Sequence, residues 1–98
     1  MNNVLWYLVA GTRGGYTRAR IINSIREKPA NANQLAKSLH LDYKTIQHHL
    51  NILVENSVLA VIKRGSYGAV YFLSHQIEAD IKSFDEIWER IGNKPGKT

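Results

Sequence analysis

The sequence has no cysteine, and among its 98 residues only two prolines and two tryptophans. Without cysteine there is neither a disulfide nor a thiolate ligand, which excludes the cross-linked secreted scaffold and the cysteine-based soft-metal site. Long apolar runs are missing too. The longest, residues 4–10 (VLWYLVA), falls far short of the roughly 20 residues a membrane-spanning helix needs, and no basic leader or small-residue cleavage site surrounds it. These absences predict a soluble, unprocessed, cytoplasmic protein. Catalytic patterns are absent as well: no HExxH, no Ser/His/Asp order and no paired acids in a glycine-rich frame occur. The glycines of GTRGG at 11–15 match neither the GxxxxGK[ST] nor the GxGxxG phosphate-binding spacing and read as a flexible joint. An enzyme is not expected.

What is present is positive charge, unevenly spread. The chain carries a formal +5; residues 1–73 hold nine Lys and Arg against three acids (net +6), and residues 74–98 hold four against five (net −1). Cations that neutralise phosphates release counterions, so a polyanionic partner for the first three quarters is the simplest account of this asymmetry. The length allows one domain with one modest core.

Residues 4–10 fit a short helix ending at Gly11 or a strand, since seven residues do not fix a period. Thr17 is placed as the N-cap of a helix whose core positions are Ile21, Ile22 and Ile25, stopped by Pro29. Arg13, Arg18, Arg20, Arg26 and Lys28 surround that helix, one or two of them near enough to its start to meet a phosphate and the rest solvated. The segment NANQLAKSLHLDYKTIQHHLNIL (31–53) reads as two helices and a tight turn. Asn31 and Gln34 form a capping box, and Leu35, Ala36 and Leu39 form the buried face of the first helix. Asp42 caps the second, whose apolar positions are Ile46, Leu50, Leu53 and Val54. Residues 59–64 and 69–73 flank Gly-Ser-Tyr-Gly and predict a β-hairpin. Beyond Ser74, a further N-cap, Ile77, Ile81, Phe84, Trp88 and Ile91 recur at intervals of four, three, four and three, with Ile87 beside them. This heptad-like stripe is more than so small a core absorbs, so part of it is expected to meet a second copy; packing on the N-terminal apolar segment is the compatible alternative.

On the strength of QLAKSL, TIQHHLNIL and the hairpin that follows them, residues 17–73 resemble the winged helix-turn-helix of ArsR-like regulators, especially the small archaeal type. The resemblance implies a mainly α fold with a small β-hairpin, extended by N- and C-terminal helices. The expected organisation is an N-terminal apolar segment (1–16), a DNA-binding domain (17–73), a C-terminal amphipathic dimerisation helix (74–91) and a flexible tail (92–98). Two residues depart from the usual pattern: His40 in the inter-helix turn and Ser57 after the recognition helix stand where glycine is common, at positions that favour left-handed backbone.

The implied function is sequence-specific binding of double-stranded DNA by a homodimer that regulates transcription, with residues 43–55 in the major groove and residues 59–73 as the wing. Lys44, Gln47 and His48 are placed on bases, with Asn51 as a further amide able to bond adenine, and Tyr43 and Thr45 on phosphates. For each of these, a merely solvated side chain is the competing reading. His49, at the edge of the apolar stripe, is assigned to a structural bridge between helices. Lys63, Arg64 and Tyr67 are placed on the wing, where Tyr67 reaches a phosphate or the minor groove or is simply solvent-exposed. The expected dimer interface comprises Leu5, Trp6, Ile77, Ile81, Phe84, Trp88 and Ile91.

No cofactor and no metal site is expected. His48 and His49 point about 100° apart on a helix, His40 lies in the turn, and His75, Glu78 and Asp80 lack the second histidine that ArsR-type zinc sites place on the C-terminal helix. No membrane partner is expected, and no small-molecule effector is specified by the residues. The rival class is a winged helix serving as a protein–protein interaction module. Against it, the helix opening at Tyr43 carries Lys44 and has no acid before Glu55.

Overall fold

A computed structural model describes residues 3–63 and 68–91. Its elements in chain order are α1 (Asn3–Ala10), α2 (Gly15–Glu27), α3 (Ala32–Leu39), α4 (Tyr43–Glu55), β1 (Leu59–Lys63), β2 (Ala69–Leu73), α5 (His75–Ala79) and α6 (Ile81–Arg90). The architecture is the expected one: a mainly helical winged helix-turn-helix, with an antiparallel hairpin after the third of its helices and further helices at either end. The expected tail, residues 92–98, lies outside the described residues.

Residues 3–10 resolve as a helix. Leu5, Leu8 and Val9 are buried on one face, the three- and four-residue spacing of a helical stripe. The helix closes where the Gly11 amide donates to the Trp6 and Tyr7 carbonyls, both at 3.1 Å.

The start of α2 differs from expectation. Thr17 lies inside its first turn, and the N-cap is Gly14, at φ 84°. The reason is steric. A Cβ on Gly15 would sit 2.0 Å from the Val9 carbonyl oxygen, so a glycine here lets α1 and α2 approach and lets α2 begin before the threonine. At the other end Lys28 is extended, as a residue preceding proline tends to be.

The helix-turn-helix forms as its local chemistry requires. The Gln34 amide donates to Asn31 Oδ1 and the Asn31 amide to Gln34 Oε1, both at 2.8 Å, and Asp42 Oδ2 accepts from the Thr45 amide at 2.9 Å. Among the described residues His40 and Ser57 are the non-glycine residues with positive φ, at 57° and 61°. Each lets the chain reverse: the Leu41 amide returns to the Ala36 carbonyl and the Val58 amide to that of Leu53. The buried face of α3 centres on Ala32 and Leu35, with Ala36 and Leu39 half-buried; that of α4 is Ile46, His49, Leu50 and Leu53, with Val54 half-buried.

The hairpin pairs Leu59 with Leu73 through to Lys63 with Ala69. Ala30 bridges to Tyr71, with the Tyr71 amide donating to the Ala30 carbonyl at 2.8 Å, so β2 is tied to the segment before α3.

The C-terminal stripe is divided between two helices. Ser74 caps α5 by accepting from the Ile77 amide, but the chain breaks at Asp80, whose carboxylate accepts from Ser83 Oγ at 2.7 Å. The break swings Phe84 and Ile87 into the core along with Ile77. Of the residues expected to face a second copy, Leu5, Ile77 and Phe84 are therefore covered by their own chain. Trp6, Ile81, Trp88 and Ile91 are half-buried at the margin, and Val4 and Tyr7 are exposed on the outer face of α1.

Candidate nucleic-acid interface

Helix α4 is two-faced because its apolar residues recur at three and four positions. Ile46, Leu50 and Leu53 are fully buried, which turns Lys44, Thr45, His48 and Asn51 outward to solvent, with Tyr43 at the leading end. The face is polar and carries no acid before Glu55 at its last position. Thr45 is engaged locally: its amide and its hydroxyl both donate to Asp42 Oδ2. Those two bonds, the amide first, hold the Asp42 carboxyl below its ordinary pKa, so the cap stays ionised at neutral pH.

Gln47 is less free than its neighbours. It sits between α4 and the hairpin, where its Nε2 donates to the Tyr71 hydroxyl and to Asn51 Oδ1, both at 3.2 Å. Tyr71, buried on β2, thus orients one of the expected base-reading side chains from behind, a role that the sequence reading assigned to nothing. Its place at the centre of the short strand AVYFL, the one buried position there, was the available signal. Lys63 is exposed at the end of β1. The expected wing contacts Arg64 and Tyr67 lie outside the described residues.

His49 points inward, as expected of a structural bridge, and its partner is Arg18. Arg18 is 5 % exposed. Its Nε donates to the Leu8 carbonyl at 2.8 Å, Nη1 to His49 Nδ1 at 3.2 Å, and Nη2 to the Arg13 carbonyl at 3.3 Å and to Thr12 Oγ1. Burial, then the neighbouring Arg18, then His48 push the His49 pKa below the ordinary histidine value. The expectation that the arginines of α2 are solvated or meet phosphate is corrected at Arg18, and two others are half-buried with partners. Besides Arg18, Arg20 donates to the Leu39 carbonyl at 2.9 Å, which caps α3, and Arg26 pairs with Asp85 beside the Phe84 ring. The spacing of Arg18, Ile21, Ile22 and Ile25 already sets Arg18 on the buried stripe; charge alone argued otherwise. Among the described residues the exposed cations are Arg13, Lys28, Lys37, Lys44 and Lys63, with Lys82 and Arg90 on α6.

Among the described residues no three His, Cys, Asp or Glu side chains converge as metal ligands would, and no helix is long and apolar enough to cross a membrane. The His48 and His49 rings meet edge to face, with centroids 5.1 Å apart.

Comparisons with known proteins agree with this geometry. Residues 16–56, which hold α2 to α4, match the family model described as "Bacterial regulatory protein, arsR family". By sequence, no curated protein matches the chain. By structure it is similar to the transcriptional regulator BldR from Sulfolobus solfataricus, with a TM-score of 0.72 at 13% identity over 94% of this chain. It spans 66% of that protein's length. It is also similar to reduced HlyU from Vibrio cholerae (TM-score 0.66, 19% identity, 92% of this chain and 87% of that one) and to the transcriptional regulator SlyA (0.62, 14%, 98% and 69%). The fold is that of winged-helix regulators, and the segment that presents α4 is similar to the arsR type.

Proposed function

We propose that this chain, a winged helix whose α2 to α4 segment is ArsR-like, binds double-stranded DNA as a homodimer and regulates transcription. Helix α4 enters the major groove. The observation that carries the reading is the outer face of α4: Lys44, Thr45, His48 and Asn51 exposed side by side, on a helix held rigid from within by Ile46, Leu50 and Leu53. Lys44 and His48 are placed on base edges, with Gln47 and Asn51 as an amide pair beside them; Tyr43 and Thr45 contact phosphates. Lys63, with Arg64 and Tyr67, carries the wing to the backbone or minor groove. The second copy meets the margin formed by α1 and α6, where Val4 and Tyr7 are exposed and Trp6 and Trp88 half-covered. This pairing sets two copies of α4 into successive grooves of a pseudo-palindromic site.

The test is an anisotropy titration of duplex DNA at low and moderate salt. Binding that weakens steeply as salt rises, and that disappears in Lys44→Glu/Gln47→Ala while the circular dichroism is retained, supports the proposal. Absence of binding at low salt overturns it in favour of a protein-interaction module. Light scattering of Trp88→Glu tests the interface: monomers are expected, and a persistent dimer moves the interface elsewhere.

A further inference from the structure

We propose that Arg18 is a positioning residue for DNA recognition: through His49 it ties α4 to the end of α1, and the tie holds only while His49 is neutral. The inference rests on the reading of α4 as the DNA-binding helix.

The acceptors around the Arg18 guanidinium are two backbone carbonyls, a hydroxyl and an imidazole nitrogen, all neutral. A guanidinium only donates, so His49 Nδ1 must offer its lone pair, and the ring proton sits on Nε2. An imidazolium has no lone pair. Protonating His49 would set two donors and two cations face to face in a buried site. The groups that face the pair are His48 on α4, next to His49, and Tyr7 on α1, which acts on Arg18; neither is a carboxylate able to absorb a second positive charge. The ring is also closely seated, since a Cβ on Gly14 would lie 3.0 Å from its Cε1.

His49 directly follows His48 on the exposed face and precedes Leu50 in the core. Expelling the imidazole from its seat therefore shifts the part of α4 that carries His48 and Asn51. The Leu8 carbonyl that Arg18 holds belongs to the last turn of α1, so the same guanidinium fixes the terminal helix and the recognition helix relative to one another.

The sign separates this device from general electrostatics. Acidification adds positive charge to a protein, which tightens binding to a polyanion. Release of the His49 tie weakens it.

The experiment measures affinity, at fixed ionic strength, for a duplex selected from a random pool by the wild-type protein. Between about pH 7.5 and about pH 5.5, affinity is expected to fall severalfold in protein that remains folded by circular dichroism, short of the roughly tenfold that a histidine titrating at its ordinary value of about 6.5 would give. His49→Gln keeps an acceptor for Arg18 and does not titrate, so its loss over the same range shrinks to under about twofold. Affinity that holds or rises in the wild type on acidification, or an equal fall in both proteins, overturns the proposal. Nitrogen-15 spectra of the imidazoles provide a readout that needs no DNA. His49 Nδ1 is expected unprotonated at neutral pH, with His49 titrating below the ordinary histidine value; a protonated Nδ1 at neutral pH overturns the tie. Failure to select any duplex, with His49 behaving as described, counts against the proposed function and leaves the tie standing.

Discussion

The helix-turn-helix, residues 31–55, and the helices at the two ends of the chain reach order by different means. In the first, the caps and the turn are local: Asn31 with Gln34, Asp42 with Thr45, and the left-handed turn at His40, all within three or four residues of their partners. In the second, order comes from residues far apart in the chain. Arg18 holds Leu8, Arg26 holds Asp85, and Trp88 stacks on Tyr16 with ring centroids 5.8 Å apart. The difference teaches that the caps and turns of the helix-turn-helix are specified by its own sequence, whereas its alignment to the terminal helices depends on a few long-range contacts. Of these only the Arg18 contact extends to α4 itself.

Substitutions that separate the two regimes test this contrast. The largest effect is expected at Phe84, fully buried on α6. Phe84→Ala should cost about 3–5 kcal/mol, a large share of the 5–15 kcal/mol typical of a domain, and chemical denaturation should show the whole chain losing stability rather than α6 alone. Next is the response to acid. His49 has a lower pKa folded than unfolded, so the unfolded chain takes up the proton first. The stability it contributes is complete above the unfolded pKa of about 6.5 and is lost as pH falls below that value toward the folded pKa. Melting temperature should be level above neutrality and decline below it, and His49→Gln should flatten the decline. A smaller, local effect is expected at the capping box: Asn31→Ala should cost about 1 kcal/mol and leave the hydrogen-exchange protection of α1 and α6 unchanged relative to global stability. The smallest is a gain. His40→Gly relieves a left-handed residue and should stabilise by about 0.5–1 kcal/mol, less the entropy that glycine adds to the unfolded chain.

The same contrast explains what could be read from sequence. The capping box, the Asp42 and Ser74 caps, the left-handed His40 and Ser57 and the hairpin were all legible, because turn and cap chemistry is written over short spans. So was the inward His49, from its place at the edge of the stripe of Ile46 and Leu50. The Gly14 cap was not, because what permits it is the approach of Val9 to Gly15, a packing fact. Nor was the break at Asp80: the spacing from Ile77 to Ile91 describes an unbroken helix equally well, and only the pull of the core on Phe84 and Ile87 decides against one. Arg18 shows the limit most clearly. Its position matched the buried stripe, but its charge spoke for solvent, and the four acceptors that make burial tolerable come from α1, the loop after it and α4. Tyr71 behind Gln47 is a similar case, a strand residue whose role depends on the register between the hairpin and α4.

The central claim is that α4 presents the nucleic-acid surface. Backbone amide shifts recorded as duplex DNA is added test it residue by residue. The account predicts that perturbations concentrate at Tyr43, Lys44, Gln47, His48 and Asn51, with a second group at Lys63, and that α6 stays silent. Shifts confined to α1 and α6, or none on α4 when the duplex is bound, would contradict it.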